Sequence, residues 1–280
     1  MTAIGDASPS QMAPTAIDAA RTRRYHHWQA AGPPSRRLPA HVPRPSSRRT
    51  EHRERTTTAM SAAEIVLRFA LAAAAGYLLG SLPSGVIVGR LFGHVDVRAQ
   101  GSGKTGATNV MRSLGPGPAV MVALLDIAKG AAAVLLVRFV IFPAAPNAAL
   151  DAQNLSAVAQ AIAGMAALLG HNYSLFIHFT GGRGVATGAG ALLAMTPLAM
   201  LVGLLAMIIP IAVTRYVSLG SMIACAMAGL TALVLTLTGH GLWPQAVFAL
   251  VGGGFIILSH RDNIARLIHG TERKLGQPTA

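Results

Sequence analysis

Apolar residues gather into six runs, about 65 to 92, 117 to 142, 155 to 179, 185 to 213, 217 to 238 and 242 to 259. At about 1.5 Å of rise per residue, each is long enough to cross, or nearly cross, a hydrocarbon core roughly 30 Å thick. The pattern predicts an all-α polytopic membrane protein. The run 185 to 213 is long for one helix and carries Thr196-Pro197 in its interior. Proline lacks the N–H that a helix interior requires, so this run is expected to divide into two short segments. About seven transmembrane helices result.

The connections fall into two kinds. Residues 93 to 115, Arg183, Arg215 and a tail with Arg261, Arg266, Arg273 and Lys274 are basic, whereas 143 to 154 and 239 to 243 hold no Lys or Arg. Basic loops favour the cytoplasmic side. Seven crossings put all of them there and the N-terminus outside; six would leave the basic tail on the far side. A chain of 280 residues that is 52 % hydrophobic and 12 % charged fits the same class and excludes a large soluble enzyme.

The net charge of +13 suggests nucleic acid until its distribution is read. Ten Arg, against Asp6, Asp18, Glu51 and Glu54, lie within residues 1 to 59, and no nucleic-acid partner is expected for the rest. Residues 1 to 59 are rich in Arg, Pro, Ala, Ser and Thr without apolar periodicity, the composition of a disordered basic extension. They contain no apolar core of a secretory signal. A transit peptide or a nucleic-acid arm would share this composition. The reading favoured here is a start at Met60, because MSAAEIVLRFALAAAAGYLLG runs directly into the first helix and an external ten-Arg segment is unfavourable. Cys225 stands alone in an apolar run, and no H-E-x-x-H or carboxylate cluster points to a metal. Neither metal nor cofactor is expected.

Three polar islands lie on the basic side. The first, GHVDVRAQGSGKTGATNVMRSLG at 93 to 115, combines Gly101, Gly103 and Gly106 with the cations Arg98, Lys104 and Arg112. Its glycines let backbone amides converge on an anion. The second, GHNYSLFIHFTGGRGVATG at 170 to 188, sets Gly181, Gly182 and Gly184 around Arg183 just before a helix, and helix-start amides plus a guanidinium bind anions. The third, SHRDNIARLIHGTERKLG at 259 to 276, places His260 and Asn263 on one helix face with Glu272 following; Ser218 and Ser221 lie at the same depth. Plainer roles fit each feature singly: basic residues as topology anchors, glycines as turns, His171 and His260 as half-buried structural histidines. Convergence on one membrane face favours a site. GSGKTG matches G-x-G-x-x-G but follows a membrane helix, and position 98 is Arg where a P-loop needs Gly, so neither a dinucleotide fold nor ATP hydrolysis is expected. Within the apolar runs, Asp126 and Lys129 are spaced to pair on one helix face toward the interior. Gly76, Gly80 and Ser84, and Gly85, Gly89 and Gly93, form small-residue ladders suited to close helix approach.

The ordered motifs GSLPSGVIVGR, GSGKTGATNVMR, LLDIAKG, GHNYSLFIHFTGGRGVATG, RYVSLGS and HRDNIARLIHGTERK, spread over 65 to 275, resemble the bacterial acyl-phosphate:glycerol-3-phosphate acyltransferase family. The resemblance implies seven membrane helices, an external N-terminus and a cytoplasmic-face active site in a bacterial inner membrane. It also implies transfer of a fatty acyl group from acyl phosphate to the 1-hydroxyl of glycerol 3-phosphate. The catalytic residues it implies are Ser102, Arg112, His260 and Asn263. The substrate-binding set is Gly101, Gly103, Gly106, Thr108 and Asn109 from the first island; His171, Gly181, Gly182, Arg183, Gly184 and Thr187 from the second; and Ser221 and Glu272. Partners are the two substrates, membrane lipid and an upstream enzyme that forms acyl phosphate, with the chain acting as a monomer. His260 poised by Asn263 is the best side-chain base, a substrate phosphate oxygen is the other acceptor, and His171 is a spare. Three positions depart from the family pattern. Lys104 replaces a usual Asn, which either tightens phosphate binding or marks a divergent paralogue; Arg183 replaces a common Lys and keeps the charge; Ser174 replaces Pro and is expected only to loosen a turn. A transporter of a small organophosphate and a non-enzymatic lipid-binding scaffold are the competing classes.

Overall fold

The computed structural model describes residues 60 to 144 and 149 to 277. The expectations for residues 1 to 59 lie outside these. Helix α1 (Ala62–Ser81) starts where Ser61 accepts the Glu64 amide at 3.2 Å, and stops at Leu82-Pro83. Helix α2 (Ser84–Gly93) resumes the span, so 62 to 93 crosses as one broken rod. The break frees backbone carbonyls in an apolar setting, where each needs a partner. Lys129 Nζ donates to the Leu82 carbonyl at 2.9 Å, and Ser174 Oγ donates to that of Ser81. Ser174 also bridges to Thr180, its amide donating to the Thr180 carbonyl at 3.2 Å, so it fastens its turn to the end of α1 instead of loosening it.

After a short amphipathic helix α3 (Ala107–Leu114), helix α4 (Pro116–Leu136) begins with proline in its first turn, where a missing N–H costs nothing, and ends in a π-turn over Val137–Ile141. Helix α5 (Leu150–Asn172) returns. The run 185 to 213 divides at Thr196, as its proline implies, into α6 (Val185–Met195) and α7 (Pro197–Thr214). Helices α8 (Val217–Leu237), α9 (Trp243–Leu258) and α10 (Arg261–Ile268) complete the described residues; α9 and α10 are bent by 58° across Ser259 and His260. Among the described residues five spans, α1 with α2 counted as one, are long and apolar enough to cross a membrane, or six if the bent pair counts as one. The expected seventh rests on α6, whose 11 residues rise only about 16 Å.

Glycines set the tightest crossings. A Cβ at Gly76 or Gly80 would lie 2.4 or 2.1 Å from the carbonyl oxygen of Ala163 or Ala167, which seats α1 on α5. The second ladder does something different from helix pairing: Gly85, Gly89 and Gly93 let residues 94 to 114 fold back on α2, with Thr105, Val97 and Leu114 in the spaces. A Cβ at Gly130 or Gly190 would lie 2.0 or 1.9 Å from the carbonyl oxygen of Thr187 or Ile127, so short α6 is seated directly on α4.

Candidate active site

The three islands enclose a cavity of about 320 Å³. From the first come Ser102, Lys104, Gly106, Thr108, Asn109 and Arg112; from the second His171, Arg183 and Gly184; from the third His260, Asn263 and Glu272; Ser218, Ser221 and Asp126 close the wall.

The first loop is shaped by Asn109. Its carbonyl accepts from the Ser102 amide at 2.9 Å and the Ser102 hydroxyl at 3.2 Å, while its NH2 donates to Val97 and Gln100 at 2.8 and 3.1 Å. Asn109 therefore positions the loop, and Ser102 is presented by it. Gly101 and Gly103, with φ of +58° and +68°, form the turn but do not line the cavity. Arg98, counted as a countercharge from sequence, is spent elsewhere. It grips Asp96 at 2.7 Å and reaches the Ile177 carbonyl and Thr180 hydroxyl at 3.4 Å, tying the first island to the second. The side-chain and backbone hydrogen bonds from Arg98 lower the Asp96 carboxyl to about 2.

Gly181 and Gly182 also stand back from the cavity. A Cβ on them would lie 2.1 Å from the His171 carbonyl oxygen and 2.0 Å from His171 Nε2, and the Gly182 amide already donates to the His171 carbonyl at 3.1 Å. They seat His171, and the Gly182 amide is taken up by that contact. Thr187 is buried at the α4 crossing, outside the lining. His171 Nδ1 lies 3.5 Å from Asp126 Oδ1 without hydrogen-bond geometry. Asp126 takes Lys129 Nζ at 2.9 Å and the Ser84 hydroxyl, so the pair expected from spacing forms and faces inward.

Two helix starts meet in this space. α3 follows Gly106 and α6 follows Gly184, neither with a side-chain cap. The amides of Ala107, Thr108, Val185 and Ala186 have no hydrogen-bond partner among the described residues. Such ends carry partial positive charge and bind anions. Lys104 and Arg183 make no hydrogen bond or ion pair among the described residues, and Arg112 makes one, to the Arg273 carbonyl at 3.3 Å. Burial, then neighbouring Arg266 for Arg183 and Arg273 for Arg112, presses both guanidiniums downward from their ordinary pKa, although arginine stays charged near neutral pH. An anion entering would relieve that pressure.

The third island departs from expectation in one detail. Asn263 does not poise His260: its NH2 donates to Glu272 Oε1 at 2.7 Å, and Glu272 also accepts from Ser218 at 2.8 Å and Arg266 at 2.8 Å. His260 is fixed by the Ile256 carbonyl, 2.8 Å from Nδ1. A carbonyl only accepts, so Nδ1 carries a proton; burial holds the ring below its ordinary pKa, and in the neutral form so favoured Nε2 holds a lone pair. Asp126 and Ser218 were missing from the sequence-derived set; the signals for them were a carboxylate within an apolar run and a serine one turn before Ser221.

The model of the family described as glycerol-3-phosphate acyltransferase matches residues 70–270. A glycerol-3-phosphate acyltransferase of Synechococcus sp. (strain JA-2-3B'a(2-13)) is 44 % identical over 207 residues, 74 % of this chain and 94 % of that protein. One of Thermus thermophilus is 45 % identical over 202 residues, 72 % and 92 % of the two chains. The crystal structure of PlsY (YgiH), an integral membrane glycerol 3-phosphate acyltransferase, in its glycerol 3-phosphate form is 35 % identical with a TM-score of 0.62, covering 76 % of this chain and 96 % of that one. A second structure of PlsY is its lysophosphatidic acid form. With the family model spanning most of the membrane region and the relatives matched over nearly their whole length, this chain belongs to the glycerol-3-phosphate acyltransferase family.

Proposed function

We propose that this protein transfers a fatty acyl group from acyl phosphate to the 1-hydroxyl of glycerol 3-phosphate, giving lysophosphatidate and inorganic phosphate at the start of phospholipid synthesis. One observation carries the reading: the cationic cavity shares Val185, Ala189, Leu204 and Met207 with an apolar pocket of about 90 Å³ walled by α5 to α9. A donor with an anionic head and a hydrocarbon tail fits that junction, with its carbonyl at the boundary. A transporter of a small organophosphate has no use for the apolar branch, and a lipid scaffold has no use for two anion sites.

In this reading the acceptor phosphate sits on Arg183 and the start of α6, and the donor phosphate on the first loop and the start of α3. Holding two reactants in line lowers the barrier because orientation entropy is lost on binding instead of in the reaction. The glycerol hydroxyl oxygen attacks the acyl carbon and a C–O bond forms. The bond from that carbon to the phosphate oxygen breaks, and its electron pair leaves with the phosphate. The hydroxyl proton goes to His260 Nε2 or to a phosphate oxygen. Ser102 and Arg112 face the negative charge that develops. A bacterial inner membrane with the cavity on the cytoplasmic side is supported by the basic residues Arg215, Arg266, Arg273 and Lys274, whose contacts tie them to the tail and to Arg112 and Glu272 at the cavity. A separate acyl-phosphate-forming enzyme supplies the donor, and the protein is taken to work as a monomer.

Purified protein in detergent should release phosphate from acyl phosphate only when glycerol 3-phosphate is present; no release by the wild type would sink the proposal. Ser102→Ala should lose turnover by about 100-fold or more, the scale of one lost transition-state donor. Arg183→Ala should raise KM for glycerol 3-phosphate more than it lowers kcat.

A further inference from the structure

The cavity wall carries more positive charge than its own acids neutralise. Asp126 is matched by Lys129, and Glu272 by Arg266, Asn263 and Ser218. Lys104, Arg112 and Arg183 remain for ligands. Arg183 immediately precedes Gly184, where α6 begins. Lys104 stands two residues from Ser102 and two before Gly106, where α3 begins. On α3, Thr108 and Arg112 are one turn apart and both line the cavity. The first loop and α3 thus bring two cations and two free amides to the cavity, and the start of α6 brings one cation and two free amides.

We infer that Lys104 is a second cationic ligand of the donor phosphate, and that it keeps a grip on the inorganic phosphate released by transfer. This rests on the function proposed above. Two phosphate groups near pH 7 carry about −1.5 to −2 each, so three cations leave the occupied site close to balance. Breaking the acyl–oxygen bond leaves its electron pair on the departing phosphate, whose charge is then greatest next to Lys104 and Arg112. The site therefore binds one of its own products well. Inorganic phosphate acts as a competitor of the acyl donor and not of glycerol 3-phosphate.

The test compares wild type with Lys104→Asn and Lys104→Arg. In steady-state kinetics, Lys104→Asn should raise both KM for acyl phosphate and the inhibition constant of inorganic phosphate about 10- to 100-fold, the scale of one charge-assisted hydrogen bond. KM for glycerol 3-phosphate should stay within about twofold. Lys104→Arg should restore most of both. Direct titration of inorganic phosphate into the detergent-purified protein, with no turnover, should show the same weakening. If titration gives equal affinity for wild type and Lys104→Asn, or if KM for glycerol 3-phosphate rises as much as that for the donor, the assignment of Lys104 is overturned. A wild type that lacks transferase activity would remove the functional reading, while the titration would still report whether Lys104 holds phosphate.

Discussion

Two carboxylates are buried at the cavity wall, and they are held in different ways. Asp126 lies within a membrane-spanning helix and takes its partners from α2 and α4, the Ser84 hydroxyl and Lys129 at 2.9 Å, with His171 of α5 standing 3.5 Å away. Its ammonium partner also caps the broken end of α1 through Leu82. Glu272 lies beyond the last helix in a segment without regular structure, and is held by Ser218 on α8 and by Asn263 and Arg266 on α10. The first cluster repairs a defect in a membrane rod; the second fastens a tail across the cavity. Tail residues beside Glu272 repeat the second function, for the Leu275 amide donates to the Arg215 carbonyl at 2.8 Å and Lys274 Nζ lies 5.8 Å from the Tyr216 ring centre. Both arrangements also use up local acids, so Arg112, Arg183 and Lys104 are left without a carboxylate partner at the cavity. Positive potential in this cavity comes as much from carboxylates already satisfied as from cations present.

If the two clusters differ in this way, removing their carboxylates should have unequal effects. The largest is expected for Asp126→Ala, which leaves Lys129 buried with only a carbonyl for company and the Ser84 hydroxyl without its acceptor. Stranding one partner of a buried ion pair costs about 3–5 kcal/mol. Thermal unfolding in detergent should show it, and Asp126→Ala with Lys129→Met should recover most of the loss, because replacing both charges by apolar groups is close to neutral. A single mutant as stable as the wild type would show that the break in the first span needs no such clasp.

A smaller effect is expected for Glu272→Ala. The Arg266 side chain retains 36 % exposure and can return to water, so the loss is that of hydrogen bonds from Asn263 and Ser218, about 1–3 kcal/mol. Released tail backbone should also become more sensitive to proteolysis after Lys274 and Arg273. Should Glu272→Ala prove more damaging than Asp126→Ala in the same unfolding assay, the ranking of the clusters is reversed and the tail is the structural keystone.

The same contrast separates what could be read in the sequence from what could not. The Asp126–Lys129 pair was legible because three-residue spacing in an apolar run leaves two charges no partner but each other. The division at Thr196-Pro197 was legible because proline has no N–H to give. The convergence of three islands followed from counting crossings against basic loops. Partners distant in sequence were not legible. Nothing local tells that Arg98 is consumed by Asp96 instead of by a ligand, since a cation in a glycine-rich loop reads the same either way until the neighbouring carboxylate is seen to turn toward it. Gly181 and Gly182 read as an anion nest because glycine pairs free the backbone, whereas here they make room for the His171 ring. Ser174 read as a loosened turn because its acceptor, the Ser81 carbonyl, exists only once Pro83 has broken the first helix. Asn263 was assigned to His260 by helical spacing, and lost to Glu272 because a carboxylate is the stronger acceptor.

The finest test of the comparison is a difference in pH response. Burial alone would push the Glu272 carboxyl upward, but hydrogen bonds from Asn263, Ser218 and Arg266, with the Arg266 charge, outweigh it and hold the group below its ordinary value. An unfolded glutamate titrates near about 4.3. In the interval below that, the unfolded chain binds the proton more readily than the folded one, so stability falls as pH falls. The contribution is complete above the unfolded value and disappears as pH drops through the folded one. Asp96, held at about 2, acts in the same direction, so the absolute slope belongs to several groups. The informative quantity is the gap between wild type and Glu272→Gln, which keeps the shape and loses the charge. That gap should be widest near neutral pH and should narrow as the buffer is taken below about pH 4.5, because the wild-type carboxylate is then being protonated toward the state the glutamine imitates. Unfolding midpoints that stay parallel across this range would mean that the Glu272 charge contributes nothing to fastening the tail, and that Ser218, Asn263 and Arg266 hold it by shape and neutral hydrogen bonding alone.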